Sequence, residues 1–225
     1  MLARTLEPEV MDSAAEAADY DSMDHADVNR LFADDFLAVA PICPPGHATV
    51  QVLDVGAGTA QIPMEIARRR NDLSITAVDL AAHMLQLGQR NIVRAGLTAR
   101  IKLEQFDAKA LPYVDGAYAA VISNSIIHHI PEPRTAFREM VRVLCPGGVL
   151  FVRDLLRPAD RETLEKLVEQ YAGEANDHQR QMFRDSLYAA LTLQEVCELL
   201  DDAGLPVGWA RQTSDRHWTI AGYKA

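Results

Sequence analysis

The 225-residue sequence predicts an α/β fold: a mostly parallel sheet with helices on both faces and an antiparallel hairpin at its end. Three observations predict it. Strand-like and helix-like runs alternate from Val50 to Arg153, the first of those strands enters a glycine turn at Gly56-Ala57-Gly58, and two β-like runs close the chain with only Thr213–Arg216 between them.

Ahead of the alternation, Ala14–Ala18 is helix-forming and the polar stretch Tyr20–Asp24 follows it. Asp27–Ala40 then carries Val28, Leu31, Phe32, Phe36 and Leu37 at helical spacing. The breaker cluster Pro41-Ile42-Cys43-Pro44-Pro45-Gly46 should be crossed by no helix or strand, and it divides a helical N-terminal arm, residues 1–46, from a core, residues 47–225.

In the core, Val50–Val55 is a short apolar strand and Thr59–Arg70 a helix. Ser74–Asp79 is the second strand, and the helix after it, Ala81–Ala95, stops at Gly96. Arg100–Phe106 is the third strand, and Tyr118–Ser123, introduced by the turn Val114-Asp115-Gly116, is the fourth. The helix Arg134–Leu144 is closed by Pro146-Gly147-Gly148, and Val149–Arg153 is the fifth strand. Two helical stretches, Arg161–Tyr171 and Gln179–Ala190, follow with no strand between them, so residues 157–191 are an inserted helical lid. Thr192 and Glu195 form a capping box for a last helix that stops at Gly204. The closing runs Val207–Gln212 and His217–Tyr223 have too short a connection for anything but an antiparallel pair.

Composition narrows the function classes. Basic and acidic residues number 22 and 32, a net charge of −10, which disfavours a protein that clamps a nucleic-acid backbone. Cys43, Cys145 and Cys197 are far apart and in no ligand spacing, so neither a zinc site nor a disulfide framework is expected. Unpaired thiols, a start without a signal-peptide apolar core and the lack of a membrane-spanning run suit a cytoplasmic protein.

A strand entering Gly-x-Gly and then a helix is a nucleotide-binding shape, although glycine also serves such turns for steric reasons alone. A dinucleotide fingerprint would place a third glycine where this chain has Gln61. Instead Asp54 precedes Gly56 by two residues, Asp79 ends the second strand and Asp107 follows the third. Ligands of open α/β sheets bind at the carboxyl ends of strands, so the three acids share one rim. That pattern suits S-adenosylmethionine, which has an ammonium and a sulfonium and no phosphate. Asp54 can attract the ammonium, Asp79 can accept the ribose hydroxyls, and Asp107 can accept the adenine amino group. The alternatives are a helix-capping acid at Asp79 and a surface loop acid at Asp107.

Val52-Leu53-Asp54-Val55-Gly56-Ala57-Gly58-Thr59 resembles motif I of class I S-adenosylmethionine-dependent methyltransferases. Ser123–Pro131 resembles the segment after their fourth strand, and Leu144-Cys145-Pro146-Gly147-Gly148 is similar to their turn before strand 5. Among subgroups the chain is most similar to the small-molecule enzymes of ubiquinone and menaquinone synthesis. The resemblance implies a Rossmann-like seven-stranded sheet of order 3-2-1-4-5-7-6 with strand 7 antiparallel. It also implies cofactor contacts from Ala57, Leu80, Met84 and Ala108 beside the anchors above, and from Ser123 or Asn124 at the methionine end. Tyr20 and Met23 lie where related enzymes fold a helical arm over the cofactor; ordinary packing of that arm is the alternative.

Methyl transfer from a sulfonium is an in-line displacement in which the protein holds and aligns the acceptor. A general base is needed only for an acceptor that loses a proton. His128 and His129, just past the fourth strand, are the candidates; shaping the rim loop is the other role open to them. No metal is expected there, because adjacent histidines alone lack the spacing and partners of a site. Asp154 either faces the substrate or pairs with Arg153 or Arg157, the ion pair being favoured. In the lid, His178, Arg184 and Tyr188 are candidate acceptor contacts.

The leading expectation is therefore an enzyme that methylates a small molecule, without nucleic acid and with a homodimer as candidate assembly. The alternatives are an RNA or protein methyltransferase and a catalytically idle cofactor-binding partner.

Overall fold

The computed structural model describes residues 2–10, 12–23, 25–41 and 49–225. The expected breaker cluster lies outside the described residues beyond Pro41. The elements are α1 Ala14–Ser22, α2 Ala26–Val39, β1 Val50–Val55, α3 Gln61–Arg69, β2 Leu73–Asp79, α4 Ala82–Ala95, β3 Ile101–Gln105, β4 Tyr118–Asn124, α5 Pro133–Val143, β5 Leu144–Leu155, α6 Arg161–Ala172, α7 Asp177–Ala189, α8 Leu193–Asp202, β6 Ala210–Gln212 and β7 His217–Tyr223. Single 3₁₀ turns occur at Ile127–His129 and Val207–Trp209.

The sheet has seven strands in the order β3-β2-β1-β4-β5-β7-β6, as the resemblance implied. β1 pairs in parallel with β2 and β4, and β2 with β3, while β6 and β7 are antiparallel.

Several boundaries differ from expectation, three of them by a segment with its own hydrogen bonding. The helix α1 runs on through Tyr20 to Ser22, with Ser13 and Glu16 closing a capping box at its start and the Met23 amide bonding the Tyr20 carbonyl at its end. β5 begins at Leu144 and includes the expected turn Pro146-Gly147-Gly148. The chain's end pairs with that segment: the Gly147 amide donates to the Lys224 carbonyl at 2.7 Å, and the Lys224 amide to the Gly148 carbonyl at 2.9 Å. Val207–Trp209 is a 3₁₀ turn rather than strand, which leaves β6 three residues long.

The chain divides into two compact units, one of residues 10–124, 135–152 and 221–225, the other of residues 1–9, 125–134 and 153–220. Of the described N-terminal residues, 2–9 belong to the smaller unit and 10, 12–23 and 25–41 to the larger. In the larger unit Phe32, Phe36 and Phe151 are buried, and the rings of Phe32 and Phe151 meet edge to face at 5.0 Å. In the smaller unit α6 and α7, the expected lid, bury Leu164, Leu167, Val168, Leu187 and Ala190 beside Leu155. Among the described residues no helix is long and apolar enough to cross a membrane.

Candidate functional site

The larger unit carries the glycine turn. Gly56 and Gly58 both take positive φ, 80° and 52°, the left-handed region that glycine enters without steric cost. The amides of Gly56 and Ala57 converge on the Val78 carbonyl at 2.8 and 3.0 Å. The Asp79 carboxylate completes the tie. One of its oxygens accepts from the Gly58 amide at 2.7 Å and the other from the Ala81 amide at 2.9 Å. Asp79 therefore does sit at the start of α4, and it also shapes the turn after β1. A carboxylate has about four lone-pair positions, so capacity remains for a ligand's hydroxyls.

Asp54, 2% exposed, stands two residues before the turn. Burial, with the Asp79 charge adding to it, pushes its carboxyl up to about 8. Burial also raises Asp79, offset in part by the Ala81 and Gly58 amides. The Tyr20 hydroxyl is pushed up to about 12 by burial and then by Asp79, Asp21 and Asp54. Among the described residues no lysine or arginine pairs with Asp54 or Asp79. Two buried carboxyls without a counter-charge are stabilised by a cationic group brought in from outside.

The arm covers this turn. A Cβ built on Gly58 would lie 3.8 Å from the Tyr20 ring. Tyr20 packs with Leu87 against a buried cluster of Ala17, Ala81 and Met84, and the Met23 amide closes α1 onto the Tyr20 carbonyl at 3.2 Å. Gln61, at the position of the absent third glycine, latches the arm down. Its amide group donates to Asp21 at 3.2 Å, its oxygen accepts from Asn29 at 3.0 Å, and Asn91 donates to the same Asp21 oxygen at 3.0 Å. Sequence reasoning used Gln61 only to exclude dinucleotides and missed this role, for which the one signal was a long amide side chain at a position that favours glycine.

The remaining cofactor candidates are in varied states. Asp107 accepts from the Lys109 amide at 2.8 Å and pairs with its ammonium at 3.2 Å, so the carboxylate serves its own turn. Ala108 is buried, whereas Leu80 is exposed and its carbonyl accepts from Gln105 at 2.9 Å. The Ser123 hydroxyl is buried and donates to the Val55 carbonyl at 2.8 Å, tying β4 to β1, and Asn124 is the last residue of β4.

The smaller unit holds the two histidines, and it corrects the favoured reading of Asp154. Fully buried, Asp154 turns to His128, bonding its Nδ1 at 2.5 Å. It also accepts from the amides of Ile127 and Leu155, each at 2.6 Å. Arg157 pairs instead with Glu195 at 2.7 Å, and Arg153 donates to Thr219 at 3.0 Å. Glu7 arrives from the N-terminal segment, 3.5 Å from His128 Nε2 and 3.1 Å from His129 Nδ1. Burial lowers the His128 pKa, but Asp154 and Glu7 outweigh it and leave the imidazole above its usual value. Burial and the neighbouring His128 push His129 down to about 3.

The lid candidates do not converge. His178 is exposed in the first turn of α7, and Arg184 pairs with Glu165 at 2.9 Å. Tyr188 packs on the α6–α7 core, and its carbonyl accepts from the Thr5 amide at 3.1 Å.

Comparison with known proteins matches residues 53–152 to a methyltransferase domain. The 27-O-demethylrifamycin SV methyltransferase of Amycolatopsis mediterranei is 28% identical over 79% of this chain and 62% of its own length. A ubiquinone/menaquinone biosynthesis C-methyltransferase of Geotalea daltonii is 28% identical over 48% of this chain and 46% of its own length. The chain thus spans less than two thirds of each of these relatives. Of solved structures, a putative S-adenosyl-L-methionine-dependent methyltransferase of Methanococcus maripaludis shares the fold with a TM-score of 0.68 at 18% identity, covering 100% of this chain and 98% of that one.

Proposed function

From a chain that carries the methyltransferase domain over residues 53–152 and folds as a class I S-adenosylmethionine-dependent methyltransferase, we propose an enzyme that methylates a small-molecule acceptor by in-line displacement. The observation that carries the donor assignment is the pair of buried acids, Asp54 and Asp79, at a glycine turn with no lysine or arginine among the described residues paired to them.

The residues present fit S-adenosylmethionine. When bound, it supplies an electrophilic methyl group on its sulfonium. Asp54 and Asp79 offer negative charge where an ammonium, a sulfonium and ribose hydroxyls need partners. Tyr20, beside Gly58, and the buried Met84 restrict water at that turn. Asp107, Ala108, Leu80, Met23 and Asn124 complete the candidate set, and Ser123 acts by holding β4 against β1.

Two findings support a small-molecule acceptor. The two relatives compared above are named for a rifamycin and for quinones, and the chain's charge of −10 suits neither a nucleic-acid backbone nor another polyanion. His178, Arg184 and Tyr188 are kept as candidate acceptor contacts although they do not converge, and no base is assigned, since His128 and His129 are turned to Asp154 and Glu7.

The test is transfer from methyl-labelled S-adenosylmethionine to a panel of quinone precursors, phenolic polyketides, small amines, thiols, RNA and protein. Label in a phenol or quinone precursor supports the proposal; label in RNA or protein alone overturns the small-molecule reading.

A further inference from the structure

Glu7, His128 and His129 each present one donor atom, and the three atoms lie within 4.8 Å of one another. We propose that they bind a divalent transition-metal ion of the zinc class.

The spacing suits such an ion. Ligands about 2.0–2.2 Å from a tetrahedral metal stand roughly 3.3 Å apart. Glu7 Oε1 lies 3.5 Å from His128 Nε2 and 3.1 Å from His129 Nδ1. Two imidazoles and one carboxylate are a donor set for zinc, cobalt, nickel or ferrous iron rather than for magnesium or calcium.

The groups behind the ligands are arranged for the same task. Asp154 holds His128 Nδ1 at 2.5 Å, which puts the proton on that nitrogen and leaves the Nε2 lone pair facing Glu7. Asp154 is itself fixed by the Ile127 and Leu155 amides. Glu7 is positioned by contacts elsewhere in its segment. The Arg4 guanidinium donates to the carbonyls of Ala189, His128 and Ile130 at 2.7, 3.1 and 3.0 Å, and the Thr5 amide donates to Tyr188. Ser186 adds a contact of 3.3 Å to Glu7 Oε1.

A charged His128 between Asp154 and Glu7 would account for one imidazole. It leaves the other unexplained. His129 Nδ1 is buried and meets the Glu7 oxygen at 3.1 Å, yet it has no hydrogen-bond partner. An ion between them gives that nitrogen a partner, satisfies the carboxylate and ties the segment of residues 2–9 to the turn Ile127–His129. Three protein ligands leave a coordination position open.

The full chain, stripped with a chelator and dialysed, is titrated with Co²⁺ and followed by visible absorption, then displaced with Zn²⁺. One Co²⁺ per chain with ligand-field bands is expected, weakened at least tenfold in both Glu7→Gln and His129→Gln. Asp154→Asn should weaken it by about 10- to 100-fold while far-ultraviolet circular dichroism stays native. If His129→Gln does not fold, Glu7→Gln, a change in the N-terminal segment, decides alone. No stoichiometric Co²⁺, equal affinity in Glu7→Gln, or a thiolate charge-transfer band from the cysteines would overturn the assignment.

Discussion

The Asp79 carboxylate accepts the Gly58 amide at 2.7 Å, so the acid at the end of β2 holds the turn that follows β1. One side chain thus serves both strands, and its loss should be felt before any ligand is added. Asp79→Ala strips an acceptor from the Gly58 and Ala81 amides, at a cost of about 1–3 kcal/mol. Urea unfolding should show the loss, and Asp79→Asn, which keeps one oxygen, should lose less. Equal stability of all three proteins would mean the turn does not depend on this acid.

Gly58→Ala tests the backbone of the same turn. The nearest atom to the new Cβ is the Tyr20 ring at 3.8 Å, an ordinary contact, so crowding contributes little. The positive φ of 52° is what alanine resists, at about 1–2 kcal/mol. A lowered melting temperature is expected, and an unchanged one would show that the turn relaxes freely.

Asp54 should make the protein pH-sensitive. Its carboxyl is 3.8 as a free group and about 8 in the folded chain, so the folded state holds a proton that the unfolded state has lost. That contribution to stability is complete below about pH 4 and disappears as the pH rises through 8, with a slope of up to about 1.4 kcal/mol per pH unit. Denaturant titrations from pH 5 to 8 should show the decline, and Asp54→Asn should flatten it. A cationic ligand favours the charged carboxylate, so S-adenosylmethionine affinity should rise over the same range with release of a proton. Calorimetry in buffers of different ionisation enthalpy measures that release; none would contradict the assignment of Asp54.

Gln61→Ala removes the bonds to Asp21 and Asn29 that fasten α1 and α2 to α3. Hydrogen exchange in α1 should accelerate several-fold while the central strands stay protected. Unaltered protection of residues 14–22 would show that the packing of Tyr20 and Ala17 holds the arm unaided.

The strands of the sheet and the buried acids beside the glycine turn were legible in the sequence because local patterns specify them. Alternation gave β1 to β5, and the acids at strand ends gave Asp54 and Asp79. What escaped depends on distant parts of the chain. The recruitment of Pro146-Gly147-Gly148 into β5 requires Lys224, 76 residues beyond Gly148, which no local pattern announces. The Glu7 contact with His128 and His129 joins residues more than 120 positions apart, and a lone glutamate near a terminus carries no periodicity to mark it. Asp154 was read against its sequence neighbours Arg153 and Arg157, whereas the fold turns it to His128.

Titration calorimetry of the full chain and of Asp79→Asn with S-adenosylmethionine tests the central claim most directly. One site per chain is predicted in the wild type, with affinity at least tenfold weaker in the variant. No binding to the wild type, or equal affinity in the two proteins, would contradict a donor pocket built on Asp54, Asp79 and the Gly56–Gly58 turn.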